Sequence, residues 1–450
     1  MAASLFKRLV RTMVPLPNEV ARAGRHAAKV IDAWRELLSD RGEVSGAAIA
    51  REALTAYRNL DAAYLPAFFD LLAAAFSPDE PALRSAAERY LAQPSAAHLM
   101  QLQNASASPR QELFRRLNQA PEGTATLVDT REHLQTALAH HPDWQVIDAD
   151  LVHLFNSWFN RGFLTLQRID WHTPAMVLEK LIEYEAVHEI SGWPDLRRRL
   201  QSDRRCFAFF HPALPDEPLI FIEVALVKGI SSAIQPLLDV EAPVADPDKA
   251  DTAVFYSITN CQPGLRGVSF GNLLIKQVAQ RLGEEFPRIK TFSTLSPIPG
   301  FTAWLSSNAS DLTEPALSAI QALKTPDWHL QPALAASMQN ALTPLCAHYL
   351  LHALRDGAPA DPVARFHLGN GARAERLNWL ADTSARGLKN CAGMMVNYVY
   401  HLDQIEDNHE VYVREHRVAA THELRRLARE CMLTSPTLSA QKNNGATPWK

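Results

Sequence analysis

The chain has 450 residues, 47% of them hydrophobic and 21% charged, a globular composition too long for one ordinary core. A formal net charge of −4 leaves no electrostatic footprint for a polyanion, so no nucleic acid partner is expected and an anionic ligand must be held by local chemistry. The five cysteines, Cys206, Cys261, Cys346, Cys391 and Cys431, are odd in number and widely spaced without a Cys-x-x-Cys, which argues against a disulfide framework or a zinc cluster.

Up to about residue 185 the chain reads as helices punctuated by proline and serine. Residues 1–18 place Lys7, Arg8 and Arg11 among apolar residues with no acid before Glu19, and read as an amphipathic first helix, with a weak transit peptide as the alternative. Leu71, Leu72, Ala75 and Phe76 keep helical spacing. In Ser77-Pro78-Asp79-Glu80, Ser77 is the expected cap, Pro78 the first helical residue and Glu80 the closing acid of a capping box. Ser108-Pro109-Arg110-Gln111 repeats that grammar, and Thr173-Pro174 opens another helix. A helical bundle over 1–185 is expected, and its length without motifs points to a homo-oligomer formed through it.

Near residue 200 the texture changes. Cys206–Phe210 and Pro218–Val227 are short apolar, β-branched or aromatic runs bounded by prolines, and they predict strands. Ala253–Thr259 predicts a third strand, followed by a Gly-rich turn and the helical pattern of Leu273, Leu274, Val278 and Leu282; Ile289–Leu295 predicts a fourth strand. Residues 302–360 return to helix, interrupted by Pro315, Pro326, Pro332 and Pro344. A loop around Gly369–Gly371, a strand at Met394–Leu402 and a terminal helix complete the chain. The fold class expected is α+β multidomain: an all-α bundle over 1–185, then an α/β domain with a mixed central sheet over 186–450. No run of 18 apolar residues occurs, so no transmembrane span is expected.

Three segments carry candidate chemistry. The first is Arg266-Gly267-Val268-Ser269-Phe270-Gly271-Asn272, between a strand and an amphipathic helix. Small residues there let backbone amides approach a phosphate, and the helix start adds partial positive charge, although most Gly-rich turns only reverse the chain. Arg266-Gly267-x-x-x-Gly271-x-x-Leu274 resembles the pyrophosphate loop of the GCN5-related N-acetyltransferase superfamily, which implies coenzyme A binding. Ser269 stands where that superfamily usually has glycine.

The second segment runs from Ser293 to Phe301, where Pro297 and Pro299 stiffen the backbone around Ile298 and hold Ser296 at the end of a strand; the alternative is that Ser296 caps a following helix. The third is Phe366-His367-Leu368-Gly369-Asn370-Gly371, followed by Asn378-Trp379 and Asn397-Tyr398-Val399-Tyr400. His367 suits general acid–base work near neutral pH, or is a structural histidine.

Together with Phe209-Phe210-His211-Pro212, Ile230-Ser231-Ser232-Ala233-Ile234-Gln235 and Phe255-Tyr256-Ser257-Ile258, these segments are similar in sequence and order to malonyl-CoA decarboxylases, from about 185 to 420. The string Thr294–Phe301 is the most specific part. The resemblance implies a helical oligomerisation domain, an acetyltransferase-like domain that has gained decarboxylation, malonyl-CoA as substrate and acetyl-CoA as product. It places the catalytic pair on Ser296 and His367, the coenzyme A loop on residues 266–272 and a pocket tyrosine on Tyr400. A β-carboxyl thioester is its own electron sink, so no cofactor and no metal are expected.

Other features are set aside. His348 and His352 lie four apart on a helix without a metalloprotease glutamate or a third ligand. Asp148, Asp150, His140 and His141 are expected on the solvated surface, as are Arg197–Arg199 and Arg204-Arg205, whose alternative is a phosphate contact. The competing functions are an acyl-CoA-dependent N-acyltransferase with Glu223 as base, where Glu223 otherwise faces solvent, and a non-catalytic acyl-CoA sensor. The terminal Thr447-Pro448-Trp449-Lys450 is no peroxisomal signal, and the cytoplasm is the compartment expected.

Overall fold

The computed structural model describes residues 17–268 and 274–431; most of the 1–18 segment, and Ser269 to Asn272 of the Gly-rich loop, lie outside them. The chain forms two compact units. One contains the residues up to Thr165 with 210–217 and 262–270, and the other contains the remainder.

The first unit is helical: Pro17–Leu37, Asp40–Arg58, Leu65–Ala75, Glu80–Ala92, Ala96–Ser106, Pro109–Asn118, Gly123–Ala137 and Gln145–Trp158. Ser108 caps its helix as expected, accepting the Arg110 N–H. At the preceding site the cap is Asp79 rather than Ser77, and Asp79 accepts from Ala82 N–H; Ser77 instead donates to Ala73 O at the end of the helix before. Asp79 stands immediately before the first helical residue and reaches the free amides, whereas Ser77 lies two residues further upstream.

The aromatic core of this unit is Trp34, Phe68, Phe69, Phe114, Trp144 and Phe155. Each indole finds an acceptor, Trp34 on Ala53 O at 3.0 Å and Trp144 on Asp70 Oδ1 at 2.8 Å. Asp150 is not surface. It is buried against Arg110 at 2.7 Å, and Arg110 also donates to Leu72 O and Ala73 O at the end of Leu65–Ala75. Packing of three helices around one guanidinium buries both charges, an outcome that the local Asp-x-Asp pattern does not reveal. Asp148, half-buried, pairs with Arg131 at 2.8 Å. Arg131 donates in turn to Gly264 O at 2.7 Å and Arg266 O at 2.8 Å, which seats the start of the Gly-rich loop on Gly123–Ala137.

The second unit is built on a mixed sheet. The strands of the chain are β1 (Thr165–Ile169), β2 (Arg204–His211), β3 (Leu214–Val227), β4 (Thr252–Asn260), β5 (Thr291–Thr294), β6 (Ser296–Pro297), β9 (Arg373–Asn378) and β10 (Met395–Val399), with a separate hairpin β7 (Leu354–Arg355) and β8 (Ala358–Pro359). The order is β1-β2-β3-β4-β5-β10-β6, with β9 also on β10. Each predicted strand is present; the two-residue strands β6, β7 and β8 are additions, as are β1 and β9, whose half-exposed, charged sequences lack the apolar run that identifies a core strand.

Register positions the interior. β3 and β4 are antiparallel, with Glu223 opposite Ser257 but Val224 opposite Phe255, so Tyr256 is an extra residue in β4. β4 and β5 are parallel only from Thr252↔Thr291 to Phe255↔Thr294, and Leu295 N–H on Phe255 O closes the pairing at 3.0 Å. Beyond it β4 runs on, while the other chain turns to β10, where Ser296 pairs with Val396. Among the described residues no helix is long and apolar enough to cross a membrane.

Candidate active site

The departure of the chain from β4 exposes Ser296 to a new set of neighbours in the second unit. Ser296 lies in β6, not at a helix cap, since the following helix is Phe301–Ser307 and begins after Gly300. His367 lies on Pro362–Gly369, started by an Asp361 cap with proline at the first position, and Tyr400 follows β10 with its N–H on Phe292 O at 2.8 Å. All three side chains are buried.

Their polar atoms form one line. Ser296 Oγ is 3.1 Å from His367 Nε2, and Tyr400 Oη is 2.8 Å from His367 Nδ1. Ser296 Oγ–H donates to Thr294 Oγ1 at 2.9 Å, and that oxygen also accepts the Tyr398 N–H at 3.1 Å. The directions follow. With Ser296 donating to Thr294, Nε2–H donates to Ser296 Oγ, and Nδ1 accepts the Tyr400 O–H. Burial pushes the Tyr400 phenol well above its ordinary value, so it keeps the proton that this arrangement needs. Burial also lowers His367 to about 3, which holds the imidazole neutral. The ring stacks on Tyr398 with centroids 4.7 Å apart.

A second layer fixes the first. Asn397, fully buried, donates to Thr294 O at 2.8 Å and Ser231 O at 3.1 Å, and accepts from Asn378 Nδ2 at 2.8 Å. Thr294, Asn378, Asn397 and Tyr398 lie within the motif strings of the sequence, yet nothing in those strings assigns them a role. For Thr294 the signal was available, because strand alternation sets residues two apart on one side; for Asn397 nothing short of the β9–β10 pairing identifies its partner.

The other candidates fall elsewhere. Arg266 and Gly267 are exposed and Val268 is buried, in the first unit. Glu223 does not face solvent: it is 1% exposed and bonded to Arg199 at 2.8 Å, with Arg199 also on Asp195 at 2.9 Å. Burial pushes its carboxyl up, while the Arg199 guanidinium 2.8 Å away pulls it back toward the carboxylate form that completes the ion pair. The expected solvated arginines are likewise interior: Arg198 pairs with Asp203 at 2.8 Å, Arg204 with the same acid at 3.0 Å and Arg205 with Glu285 at 2.7 Å. Only Arg197 of the group is exposed, over the Trp171 ring. A short helix and a strand start bring Arg198, Arg199 and Arg204 to the buried acids Asp195, Asp203 and Glu223, whereas the Glu285 partner of Arg205 is exposed. Among the described residues no group of three or more His, Cys, Asp or Glu is placed to hold a metal.

The site is thus a buried, uncharged line of hydroxyl, imidazole and phenol carried on a mixed α/β sheet. The malonyl-CoA decarboxylase C-terminal domain model matches residues 162–440, and the N-terminal domain model matches 76–159. The mitochondrial malonyl-CoA decarboxylase of Anser anser anser is 38% identical over 341 residues, 69% of this chain and 68% of that one. Crystal structures of malonyl-CoA decarboxylase from Rhodopseudomonas palustris and Agrobacterium vitis match with TM-scores of 0.85 and 0.82 at 49% and 48% identity, each covering 89% of this chain and 99% of the other. The chain belongs to the malonyl-CoA decarboxylase family, as the sequence resemblance implied.

Proposed function

We infer that the chain decarboxylates malonyl-CoA to acetyl-CoA and carbon dioxide, with Ser296 and His367 carrying the step. The observation that supports this assignment is the unbroken buried line from Thr294 through Ser296 and His367 to Tyr400. When the bond from Cα to the carboxylate breaks, its electrons pass into an enolate whose charge rests on the thioester oxygen. Catalysis then needs a donor at that oxygen and a proton for carbon. The neutral Nε2–H and Oγ–H groups supply both, and water restores the proton after product leaves. A neutral pair suits the task, because a fixed cation would hold the carboxylate in the ground state as firmly as the enolate that follows.

Steady-state kinetics on malonyl-CoA test the assignment. Ser296→Ala and His367→Asn are each expected to lower kcat by about two to three orders of magnitude with KM nearly unchanged. Near-parent turnover in either variant removes that residue from the chemistry. The thioester supplies the electron sink, so activity is expected to survive prolonged chelation and avidin treatment; loss with EDTA restored by zinc would overturn the cofactor-free reading.

Two further elements belong to the same proposal. Residues 266–272 hold the diphosphate of coenzyme A, on the strength of the small residues Gly267, Ser269 and Gly271 in that sequence and the helix Leu274–Glu285 that follows. The helical unit self-associates, a reading supported by exposed Leu91, Leu99 and Met100 on Glu80–Ala92 and Ala96–Ser106. Light scattering on the parent and on a Leu91→Glu, Met100→Glu variant checks it: an unchanged mass counts against that surface.

A further inference from the structure

Ser296 and His367 reach each other from two segments 71 residues apart in sequence, and one carboxylate touches both segments. Asp361 Oδ1 accepts Val363 N–H and Ala364 N–H, each at 2.9 Å, and so caps the helix that carries His367. Asp361 Oδ2 accepts Gly300 N–H at 3.3 Å, at the far end of the Ser296-Pro297-Ile298-Pro299-Gly300 segment, and Tyr349 O–H at 3.5 Å. The segment between Ser296 and Gly300 is stiff, because two prolines fix φ and Ile298 is fully buried. Moving Gly300 therefore moves Ser296.

Capping alone leaves half of this arrangement unexplained. Serine or threonine caps a helix as well as aspartate does, without burying a carboxylate to 1% exposure. The second oxygen serves the loop. Gly300 leaves room for the Tyr349 hydroxyl that shares this oxygen: a Cβ there would overlap Tyr349 Oη, while standing at ordinary contact distance from Asp361 Oδ2.

We propose that Asp361 is a positioning residue for decarboxylation, whose single carboxylate clasps the His367 helix to the Ser296 loop and sets the distance between the catalytic pair. The proposal rests on the reading of Ser296 and His367 as catalytic. Asp361 touches neither residue, so its effect runs through their spacing.

Asp361→Asn separates the two duties. Its amide oxygen still caps the helix, while its NH2 meets the Gly300 N–H donor to donor. Asp361→Ser also caps but is too short to reach Gly300. Both variants are expected to lower kcat for malonyl-CoA about 10- to 100-fold, with KM within about twofold of the parent. In a Ser296→Ala background, where the protected geometry is already lost, Asp361→Asn is expected to lower residual turnover by less than about threefold. Near-parent kcat in a folded Asp361→Asn or Asp361→Ser variant overturns the proposal, as does a full 10- to 100-fold loss in the Ser296→Ala background. Loss of the folded circular-dichroism signal in both variants would make Asp361 a residue of the fold and overturn it too. The two readings fail separately: an active Ser296→Ala sinks the catalytic pair, whereas an inactive Ser296→Ala beside an active Asp361→Asn sinks only the clasp.

Discussion

Among the polar assemblies buried on the sheet of the second unit, two are opposites in charge. The line through Thr294, Ser296, His367 and Tyr400 is neutral, whereas Asp195, Arg199 and Glu223 form an ionic cluster within a few residues of the β3–β4 irregularity. An ionic cluster in a low dielectric is expensive to rearrange, because separating any member leaves a bare buried charge. A neutral line can be redirected: one hydroxyl turns from Thr294 to a ligand oxygen at the cost of one hydrogen bond. The ionic group is therefore suited to hold the sheet and the neutral one to act on a substrate.

Breaking the ionic cluster should give the largest loss of stability. Arg199→Leu strands Asp195 and Glu223 in the interior and is expected to cost about 3–5 kcal/mol in urea denaturation. The double change Arg199→Leu, Glu223→Leu should recover part of that loss, since it removes the orphaned charge; a double variant less stable than the single would contradict the ionic reading. Breaking the neutral line should act on rate instead. The Ser296→Ala, His367→Asn double variant is expected to lose far less than the product of the two single losses, because either deletion already breaks the shared geometry; multiplicative losses in kcat would show two independent roles.

Tyr400→Phe sharpens the contrast at a smaller scale. It removes the donor that keeps Nδ1 an acceptor, worth about 1–1.5 kcal/mol or roughly tenfold in kcat. Nitrogen NMR of the imidazole reads the tautomer directly, and an unchanged Nε2–H form in Tyr400→Phe would deny the phenol that part. The smallest effect concerns pH. His367 is neutral above its lowered value of about 3, so protonation, which would abolish the acceptor at Nδ1, begins only as pH falls toward that value. The kcat profile is expected to be flat from about pH 5.5 to 8, and a limb near 6.5 that vanishes in His367→Asn would place the histidine in a wetter, more ordinary environment.

Much of this molecule was legible before its fold. Short apolar, β-branched or aromatic runs identified the core strands, the Ser108-Pro109 grammar identified a helix start, and the family resemblance carried by the Thr294–Phe301 string pointed to Ser296, His367 and Tyr400, which meet. Those signals are local or reside in short strings, so neighbours along the chain suffice to read them. What the sequence could not decide was environment. Arg198, Arg199, Arg204 and Asp150 look like solvated charge until helices and strands close over them. His367 looks like a neutral-pH acid–base group until burial alone lowers it to about 3. Asp361 is readable as a cap, yet its second oxygen acquires Gly300 only when two segments far apart in sequence are packed together. Desolvation and the pairing of distant groups depend on which atoms surround a side chain in three dimensions, and only the tertiary structure specifies them.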